Sequence, residues 1–491
     1  MNRISLIKSG FWTTYGAIAT RMLALLSNLL LARLLLPSEF GVISVAYIFW
    51  GFVNLFTQES AGAFIVYKGL EDKRYLNTAY TISLSIGLVL GVGLVAISPL
   101  AAKFFGVPNL VWILVVFAFN LVLSCVQSIY GGVLTRRMQY RELANSSLIA
   151  SMVRVFCTAG CAFLGFSYWS FVVGDTAFWL TGYALLRHHA KQDFRLEIYP
   201  EARKEVLSYC LGSTGSGLGF YVNANCDNFV IGRFLGSTQL GYYNFAYQLT
   251  MALGTILGQA IGQIGMSAFA QLPDDRQQEN ALLAVVQQIA FLTAPLYALF
   301  FLIIDQRVIS LVFGAKWLPA CAVIPWLLIF AYFRLINYQM SSMLSAKGRP
   351  GVNARVNLYV APFAALSFAI GAWYGGIVGV SIAVAVVLGI LWTVYWWWVG
   401  CRELGWSLIK FLIPSFKAAL FALLGISIAL GVPALLSILI GVGVPALLKP
   451  FLFIGTYLVC VRFLAAKQFF QYQTLVSKLA NRLAEVRKRK Q

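Results

Sequence analysis

NLLLARLLLPSEFGVISVAY, residues 28–47, combines the end of one apolar segment, an arginine, a turn sequence and the start of a second apolar segment. A second stretch, NFVIGRFLGSTQLGYYNFAY at residues 228–247, aligns with it without gaps at an offset of 200. Six of the twenty positions are identical: Asn28/Asn228, Arg33/Arg233, Leu35/Leu235, Gly41/Gly241, Ala46/Ala246 and Tyr47/Tyr247. We interpret the two stretches as copies of an internal repeat.

The composition indicates an integral membrane protein. Of the 491 residues, 60% are hydrophobic and 11% charged, and the mean hydropathy is +0.79, which excludes a water-exposed globule of this size. Apolar segments of roughly 20 residues recur, each long enough to cross a hydrocarbon core as a helix. We predict about fourteen spans, centred near residues 22, 50, 87, 121, 155, 177, 218, 253, 291, 330, 363, 387, 425 and 453.

The repeat predicts how these spans are grouped. Six spans separate the two copies, so the copies have the same orientation and are related by a pseudo-axis along the membrane normal. We therefore predict an all-α polytopic membrane protein with two pseudo-symmetric six-helix lobes and two further C-terminal helices. The predicted parts are an N-lobe at 1–187, a cytoplasmic linker at 188–204, a C-lobe at 205–400, spans 13 and 14 at 401–464 and a basic amphipathic tail at 465–491.

The distribution of basic residues predicts the orientation. The formal charge is +20, but the 37 Lys and Arg divide into 28 on one side, 6 on the other and 3 inside spans. This is the positive-inside pattern, which places both termini in the cytoplasm and gives no indication of a nucleic-acid partner. In the tail, Leu475, Leu479, Leu483 and Val486 recur at helical intervals, so it either lies on anionic lipid headgroups or forms a solvated helix end.

The sequence carries no pattern typical of an enzyme. It has no cluster of metal ligands, no Gly-rich phosphate loop and no nucleophile elbow, so we expect no catalytic residue, metal or cofactor. The eight cysteines mostly lie inside predicted spans and are interpreted as packing residues.

Ionisable and polar residues inside the spans predict a wet interior. An ionisable side chain facing lipid costs at least ~2.5 kcal/mol, so such residues normally face a bundle interior or cavity. The deep ones are Arg21, Arg154, Asp175, Asp227 and Arg334. Several lie on polar stripes with spacings of 3, 4 or 7: Thr14/Arg21/Asn28, Asn120/Ser124/Gln127, Ser147/Ser151/Arg154/Thr158 and Arg334/Asn337/Ser341.

The excess of arginine over carboxylate predicts an anionic substrate, since a guanidinium group matches phosphate with a planar set of donors. The predicted substrate-binding residues are Arg21, Asn28, Gln127, Arg154, Arg334 and Asn337. An internal salt bridge, for example between Arg154 and Asp175, is the alternative for the arginines.

Asp227 and Asp175 are the candidate sites for coupling to a proton or sodium ion. Asp227 follows Asn223 and Asn225 and precedes Asn228 at the predicted outer end of span 7. It pairs with an arginine, binds a cation or takes up a proton, or else it is a polar plug that satisfies groups at a helix end.

Four stretches of the chain resemble those of a known family. They are LLLARLLLPSEFGVISVAY (29–47), DNFVIGRFLGSTQLGYYNFAYQL (227–249), VFGAKWLPACAVIPWL (312–327) and SMLSAKGRP (342–350). On these motifs the chain resembles the polysaccharide transport proteins of the multidrug/oligosaccharidyl-lipid/polysaccharide exporter superfamily, similar to the colanic acid and O-antigen exporters. The likeness covers nearly the whole chain, and the second stretch is its most specific part.

The resemblance implies a bacterial inner-membrane flippase for undecaprenyl-diphosphate-linked oligosaccharides, whose two lobes form a V and open alternately to each side. It implies a lipid-linked anionic oligosaccharide as cargo, and membrane lipids, a polysaccharide polymerase and assembly proteins as partners. Members similar to the lipid II flippase carry basic residues in a central cavity, where Arg21 occupies a comparable place and Arg154 and Arg334 extend the ring. The Arg-Asp pair of that flippase is not matched, because Ser27 and Asn28 stand at the corresponding place.

Two other functions stay open. A cation-coupled multidrug antiporter of the same superfamily would take cationic drugs into a carboxylate pocket, which the excess of deep positive charge disfavours. A non-transporting scaffold for polysaccharide polymerisation would have no need of polar stripes inside its spans.

Overall fold

The protein is α-helical throughout the part of the chain that the structure describes, as the sequence predicts. In this computed structural model that part comprises residues 3–57, 61–270, 274–349, 351–440 and 448–465, and it contains no β-strand. The first nine helices are α1 Arg3–Leu34, α2 Pro37–Asn54, α3 Ala61–Lys68, α4 Lys73–Phe105, α5 Leu110–Arg136, α6 Tyr140–Phe163, α7 Trp169–Ala190, α8 Pro200–Phe234 and α9 Ser237–Ala270.

The remaining elements are also helical. They are α10 Asp275–Ile303, α11 Gln306–Val312, a 3₁₀ segment Ala315–Ala322, α12 Ile324–Ala346, α13 Gly351–Ala383, a π-helical segment Val384–Leu391, α14 Trp392–Leu404, α15 Leu408–Ile440 and α16 Leu448–Leu464. The predicted amphipathic tail lies outside the described residues apart from Ala465.

Several of these helices have the length and apolar character of membrane spans. Within the described ranges, six qualify by length and composition: Lys73–Phe105, Leu110–Arg136, Tyr140–Phe163, Asp275–Ile303, Gly351–Leu404 and Leu408–Leu436. A seventh candidate is the pair Ala315–Ala322 and Ile324–Ala346, which is bent by 57°. The protein is therefore a multi-pass membrane protein, and the count of fourteen spans stays a prediction.

The helical stretch from Gly351 to Leu404 reverses direction at a glycine. Gly376 has φ 56° and ψ −142°, a backbone conformation that is strongly disfavoured for every residue except glycine. A Cβ on Gly379 would lie 2.1 Å from the carbonyl oxygen of Gly371, whereas residues eight apart in a straight helix are about 12 Å apart. The chain therefore doubles back here, between the predicted span centres at residues 363 and 387.

Both copies of the repeat have the predicted local structure. In the first copy α1 ends at Leu34 and α2 begins at Pro37, and in the second α8 ends at Phe234 and α9 begins at Ser237. Both boundaries are offset by 200 residues, the offset found in the sequence. The expected helix end, tight turn and returning helix are thus confirmed in both copies.

The described contacts group the chain into two compact units. The first contains the described residues of Met1–Ile256, Ser310–Leu327 and Gly351–Val387, and the second contains those of Leu257–Ile309, Leu328–Pro350 and Leu388–Gln491. In the first unit α8 packs against α13, α2 and α4, so the beginning of the predicted C-lobe belongs to the same compact unit as the predicted N-lobe.

Residues 191–199, which join α7 to α8, have no regular secondary structure, and we call them the linker strap. Alternate backbone N–H groups of the strap donate to polar side chains of α4, each over 3.1 Å: Arg195 to Asn77, Glu197 to Thr81 and Tyr199 to Thr78. Three backbone donors of the strap are therefore held by a single helix, α4.

The Glu197 carboxylate adds a second set of contacts. It accepts hydrogen bonds from the Tyr199 hydroxyl at 2.9 Å and from the Asn77 amide at 3.0 Å. These two donors, Tyr199 foremost, hold the pKa of the Glu197 carboxyl below its ordinary value because they stabilise its ionised form. Asn77 thus contacts the strap through both ends of its amide.

Replacing Asn77 by alanine is expected to loosen the linker strap. The variant removes the acceptor of the Arg195 N–H, a hydrogen bond of about 1 kcal/mol, and also one donor to Glu197. Limited proteolysis of the purified protein should cleave residues 191–199 several times faster. The control is Asn109→Ala, an exposed asparagine that makes no capping hydrogen bond. Equal cleavage of the two variants would show that Asn77 does not hold the strap.

Candidate functional site

A buried charged cluster joins three helices of the first unit. Asp175 on α7 is 8% exposed, and its Oδ1 lies 2.7 Å from Nη2 of Arg154 on α6. The Tyr47 hydroxyl of α2 donates to Asp175 Oδ2 at 2.7 Å and accepts from Arg154 Nη2 at 3.3 Å. The alternative predicted for these two charges, an internal salt bridge, is therefore what the structure forms. We call Tyr47, Arg154 and Asp175 the charged cluster.

A glycine sets the distance between the two helices that carry the charges. A Cβ on Gly174 would lie 1.8 Å from the Thr158 hydroxyl oxygen and 3.2 Å from the Arg154 carbonyl oxygen. Since any side chain there would separate α6 from α7, Gly174 permits the close approach that brings Arg154 to Asp175. The Thr158 hydroxyl donates to the Arg154 carbonyl over 2.7 Å and so stays on its own helix.

The two charges differ in exposure. The Arg154 side chain is 32% exposed and that of Asp175 is 11% exposed. A carboxylate and a guanidinium group in contact cancel in net charge, and hydrogen bonds from a third group help to offset the cost of taking them out of water. The cluster is therefore a neutralised pair whose cationic member keeps an accessible side.

The polar stripe of α5 lies inside the helix packing. Asn120 is fully buried, and neither atom of its side-chain amide has a hydrogen-bond partner among the residues that the structure describes. The Gln127 side chain packs against Gly182 of α7. A Cβ on Gly182 would lie 2.8 Å from Gln127 Nε2. Seven residues earlier on each of these two helices stand Asn120 and Asp175, so the unpartnered amide lies at about the depth of the charged cluster.

The α1 residues of the predicted site are less enclosed. Arg21 is exposed and Asn28 is half-buried, and their spacing of seven places them on one face of the helix. Arg21 is therefore an accessible cation in the structure, whereas Arg154 is paired with Asp175.

The other predicted substrate residues belong to the second unit. Arg334 on α12 is half-buried, with its guanidinium carbon 5.4 Å from the centre of the Phe330 ring. The Asn337 amide donates to the Thr393 hydroxyl at 2.9 Å and accepts from the Trp397 indole at 3.0 Å. Asn337 thus joins α12 to α14 with both ends of its side chain engaged.

Asp227 on α8 is held in a way that resembles Asp175. It is 3% exposed, its Oδ2 accepts from the Tyr243 hydroxyl of α9 at 2.6 Å, and its Oδ1 accepts from the Asn228 N–H at 2.8 Å. Each candidate coupling carboxylate therefore bonds a tyrosine hydroxyl of a neighbouring helix. Neither tyrosine is among the predicted site residues, although Tyr47 is one of the six identical positions of the repeat.

Replacing Tyr243 by phenylalanine is expected to lower the free energy of unfolding by about 1–2 kcal/mol, because the buried Asp227 carboxyl loses a donor. Thermal unfolding of the detergent-solubilised protein measures the effect. Tyr374→Phe is the matched control, because Tyr374 is 86% exposed. A melting temperature equal to that of the control variant would contradict a stabilising role for the Tyr243 hydroxyl.

Helices of membrane length, an internal repeat and ionisable groups buried among those helices are typical of α-helical membrane transport proteins. The chain belongs to the polysaccharide biosynthesis protein family, whose model matches residues 30–322, more than half of its length.

The chain is also similar to individual proteins of polysaccharide biosynthesis. The chain is 23% identical over 397 residues to the teichuronic acid biosynthesis protein TuaB of Bacillus subtilis (strain 168), covering 78% of this chain and 77% of that protein. It is 22% identical over 396 residues to the lipopolysaccharide biosynthesis protein WzxC of Escherichia coli (strain K12), covering 78% of each. Among solved structures, the lipid II flippase MurJ in an inward closed conformation has the same fold, with a TM-score of 0.70 and 14% identity over 94% of this chain and 99% of that one.

Proposed function

We propose that this protein is a flippase that moves undecaprenyl-diphosphate-linked oligosaccharide repeat units from the cytoplasmic to the periplasmic leaflet of the bacterial inner membrane by alternating access. The observation that carries the proposal is a partly accessible arginine, Arg154, inside the helix bundle of a member of the polysaccharide biosynthesis protein family. Moving an isolated ion through hydrocarbon costs on the order of tens of kcal/mol, so the diphosphate needs a polar path while its polyprenyl chain stays in lipid.

The charged cluster supplies a physical route for coupling. Asp175 and the diphosphate compete for the Arg154 guanidinium, and a carboxyl that takes up a proton no longer attracts that cation. Protonation of Asp175 would therefore release Arg154 to the substrate, and loss of the proton would return it. Asp227, which is bonded to Tyr243, is the second candidate for a coupling proton or sodium ion.

The proposed substrate path includes the other predicted residues. Arg21 and Arg154 would bind phosphate oxygens, and Arg334 is a further predicted phosphate-binding residue. Asn28, Gln127 and Asn337 are the predicted polar contacts along the path. Flipping a lipid needs no covalent step. The proposed function is therefore that of a transporter without enzymatic activity, which acts beside a polysaccharide polymerase and assembly proteins.

Deleting the gene and identifying the lipid-linked saccharide that accumulates on the cytoplasmic side tests the proposal in cells. One lipid-linked oligosaccharide should accumulate, and the wild-type gene should restore its export. Purified protein in sealed vesicles should then bring the same lipid to the opposite leaflet, where a membrane-impermeant oxidant of sugars can react with it.

The same assays separate the alternatives. A multidrug antiporter would lower the accumulation of cationic drugs in cells and leave the lipid-linked saccharide in place. A scaffold for polymerisation would be needed for polymer in cells, yet vesicles containing it would move no lipid. Either result would contradict the flippase proposal.

A further inference from the structure

The two copies of the repeat contact each other. A Cβ on Gly41 of α2 would lie 1.7 Å from the Ser237 carbonyl oxygen of α9, and a Cβ on Gly241 of α9 would lie 1.9 Å from the Pro37 carbonyl oxygen of α2. Under the offset of 200 residues, Gly41 corresponds to Gly241 and Pro37 to Ser237. The contact is therefore reciprocal, as across a twofold axis, and the identical glycines of the two copies are the residues on which it depends.

No side chain at either glycine could be accommodated without separating the helices. Each Cβ position lies far inside the distance of 3.0 Å below which a neighbouring atom must shift, and the neighbouring atoms are backbone carbonyl oxygens. Small residues allow helices in membranes to approach to backbone contact. At these two glycines the first turns of α2 and α9 thus come into backbone contact.

A tryptophan packs beside this contact. Trp317 of the 3₁₀ segment is fully buried, and its indole N–H donates to the Ala32 carbonyl near the end of α1 at 2.6 Å. Its ring lies edge-on to Phe40 of α2 at 5.5 Å and stacks on Phe245 of α9 at 4.3 Å. One side chain therefore bonds or packs against α1, α2 and α9, and it belongs to the VFGAKWLPACAVIPWL motif.

Two basic residues make hydrogen bonds to backbone carbonyl groups near Trp317. Lys316 Nζ donates to the Arg33 carbonyl at 2.9 Å, and Arg33 Nη1 donates to the Leu311 carbonyl at 3.4 Å. Arg33 and Lys316 are among the six basic residues that the charge distribution assigns to the outer side. The glycine contact and the tryptophan beside it thus lie at the predicted outer end of the helices.

We propose that this contact is the outer gate of the transporter, with Gly41 and Gly241 as its closing surfaces and Trp317 as the residue that holds it shut. The inference rests on the proposed function and on the predicted orientation. Helix ends that meet through backbone at these glycines would separate as rigid bodies once the Trp317 ring withdraws. Trp317 would leave the faces of Phe40 and Phe245 when the outer side opens.

A single-cysteine reporter tests the gate. Val45 is fully buried on α2, one turn further from the helix start than Gly41 and on the same face. In a variant whose eight native cysteines are replaced by alanine, Val45→Cys should react slowly with a membrane-impermeant maleimide added outside intact cells. Leu36→Cys, at a position 54% exposed, is the control that should react fully.

Wedges at the glycines should open the gate. Gly41→Leu or Gly241→Leu, combined with Val45→Cys, should raise the labelling rate by about tenfold, because overpacking disfavours the closed contact. Gly93→Leu is the matched control, since a Cβ at Gly93 of α4 would have no atom of the described part of the chain within 4 Å. Labelling in the wedge variants no faster than in the Gly93→Leu control would overturn the proposal.

Substitutions of Trp317 test the gate independently of the glycines. They give a result even if a wedge variant does not fold. Trp317→Phe retains an aromatic ring and loses the donor to Ala32, so its labelling should lie between those of wild type and Trp317→Ala. Unchanged protection in Trp317→Ala would contradict the holding role. Labelling requires no substrate. If labelling gives the expected result but the lipid-movement assay fails, the proposed function is contradicted and the proposal of an outer gate is not.

Discussion

Replacing Arg154 by alanine is expected to abolish export of the lipid-linked oligosaccharide and to destabilise the folded protein. The variant removes the cation from a cluster in which Asp175 is 8% exposed, leaving a buried carboxyl whose remaining hydrogen bond in the cluster comes from Tyr47. Breaking a fully buried pair in this way costs about 3–5 kcal/mol. Because the Arg154 side chain is 32% exposed, we expect an effect at or below about 3 kcal/mol.

The double variant Arg154→Ala/Asp175→Ala separates the two roles of Arg154. Removing both charges together leaves no uncompensated ion, so most of the lost thermal stability should return. Export should stay abolished, because the cation that would bind the diphosphate is still missing. The measurements are the melting temperature in detergent and the outward movement of lipid in vesicles.

Arg154→Lys refines this result. A lysine keeps the charge but loses the planar set of donors, so the pairing with Asp175 should survive in part while export falls steeply. Normal export by Arg154→Ala would show that the substrate does not use this cation. Recovery of export in the double variant would show that the pair is only structural, and either outcome would sink the proposed role of the charged cluster.

The sequence was sufficient for the repeat and its local structure. Identical residues at a fixed offset predicted two copies of a helix end, a turn and a helix start, and the helix boundaries at Leu34 and Phe234 differ by 200 residues. The reason for the two glycines could not be predicted, because an alignment shows that Gly41 and Gly241 correspond and not that they meet each other.

The polar stripes show where periodicity stops being informative. A spacing of three, four or seven residues places side chains on one helix face without showing what that face contacts. Asn120 lies on such a stripe and is fully buried in the helix packing, whereas Arg21 on α1 is exposed. Arg154 bonds Asp175 because α6 and α7 approach closely at Gly174, and this follows from tertiary packing that one sequence does not reveal.

Asn337 was predicted to bind substrate, and its contacts in the structure support a structural role as well. Replacing it by leucine is expected to lower the free energy of unfolding by about 2–4 kcal/mol. The Trp397 indole N–H, on a side chain that is 1% exposed, would lose its acceptor, and the Thr393 hydroxyl would lose a donor. Leaving a buried polar group without a partner costs about 1–3 kcal/mol, and the branched leucine must also fit a site shaped for an amide.

A double-mutant cycle assigns that loss to the hydrogen bond. Trp397→Phe removes the donor, so adding Asn337→Leu to it should cost at least about 1 kcal/mol less than adding the same change to the wild-type chain. Thermal unfolding in detergent measures all four proteins. Equal costs in both backgrounds would mean that the Trp397 bond contributes nothing. A full loss of lipid movement with unchanged melting temperature would instead place Asn337 in the substrate path, as the polar stripe of α12 predicts.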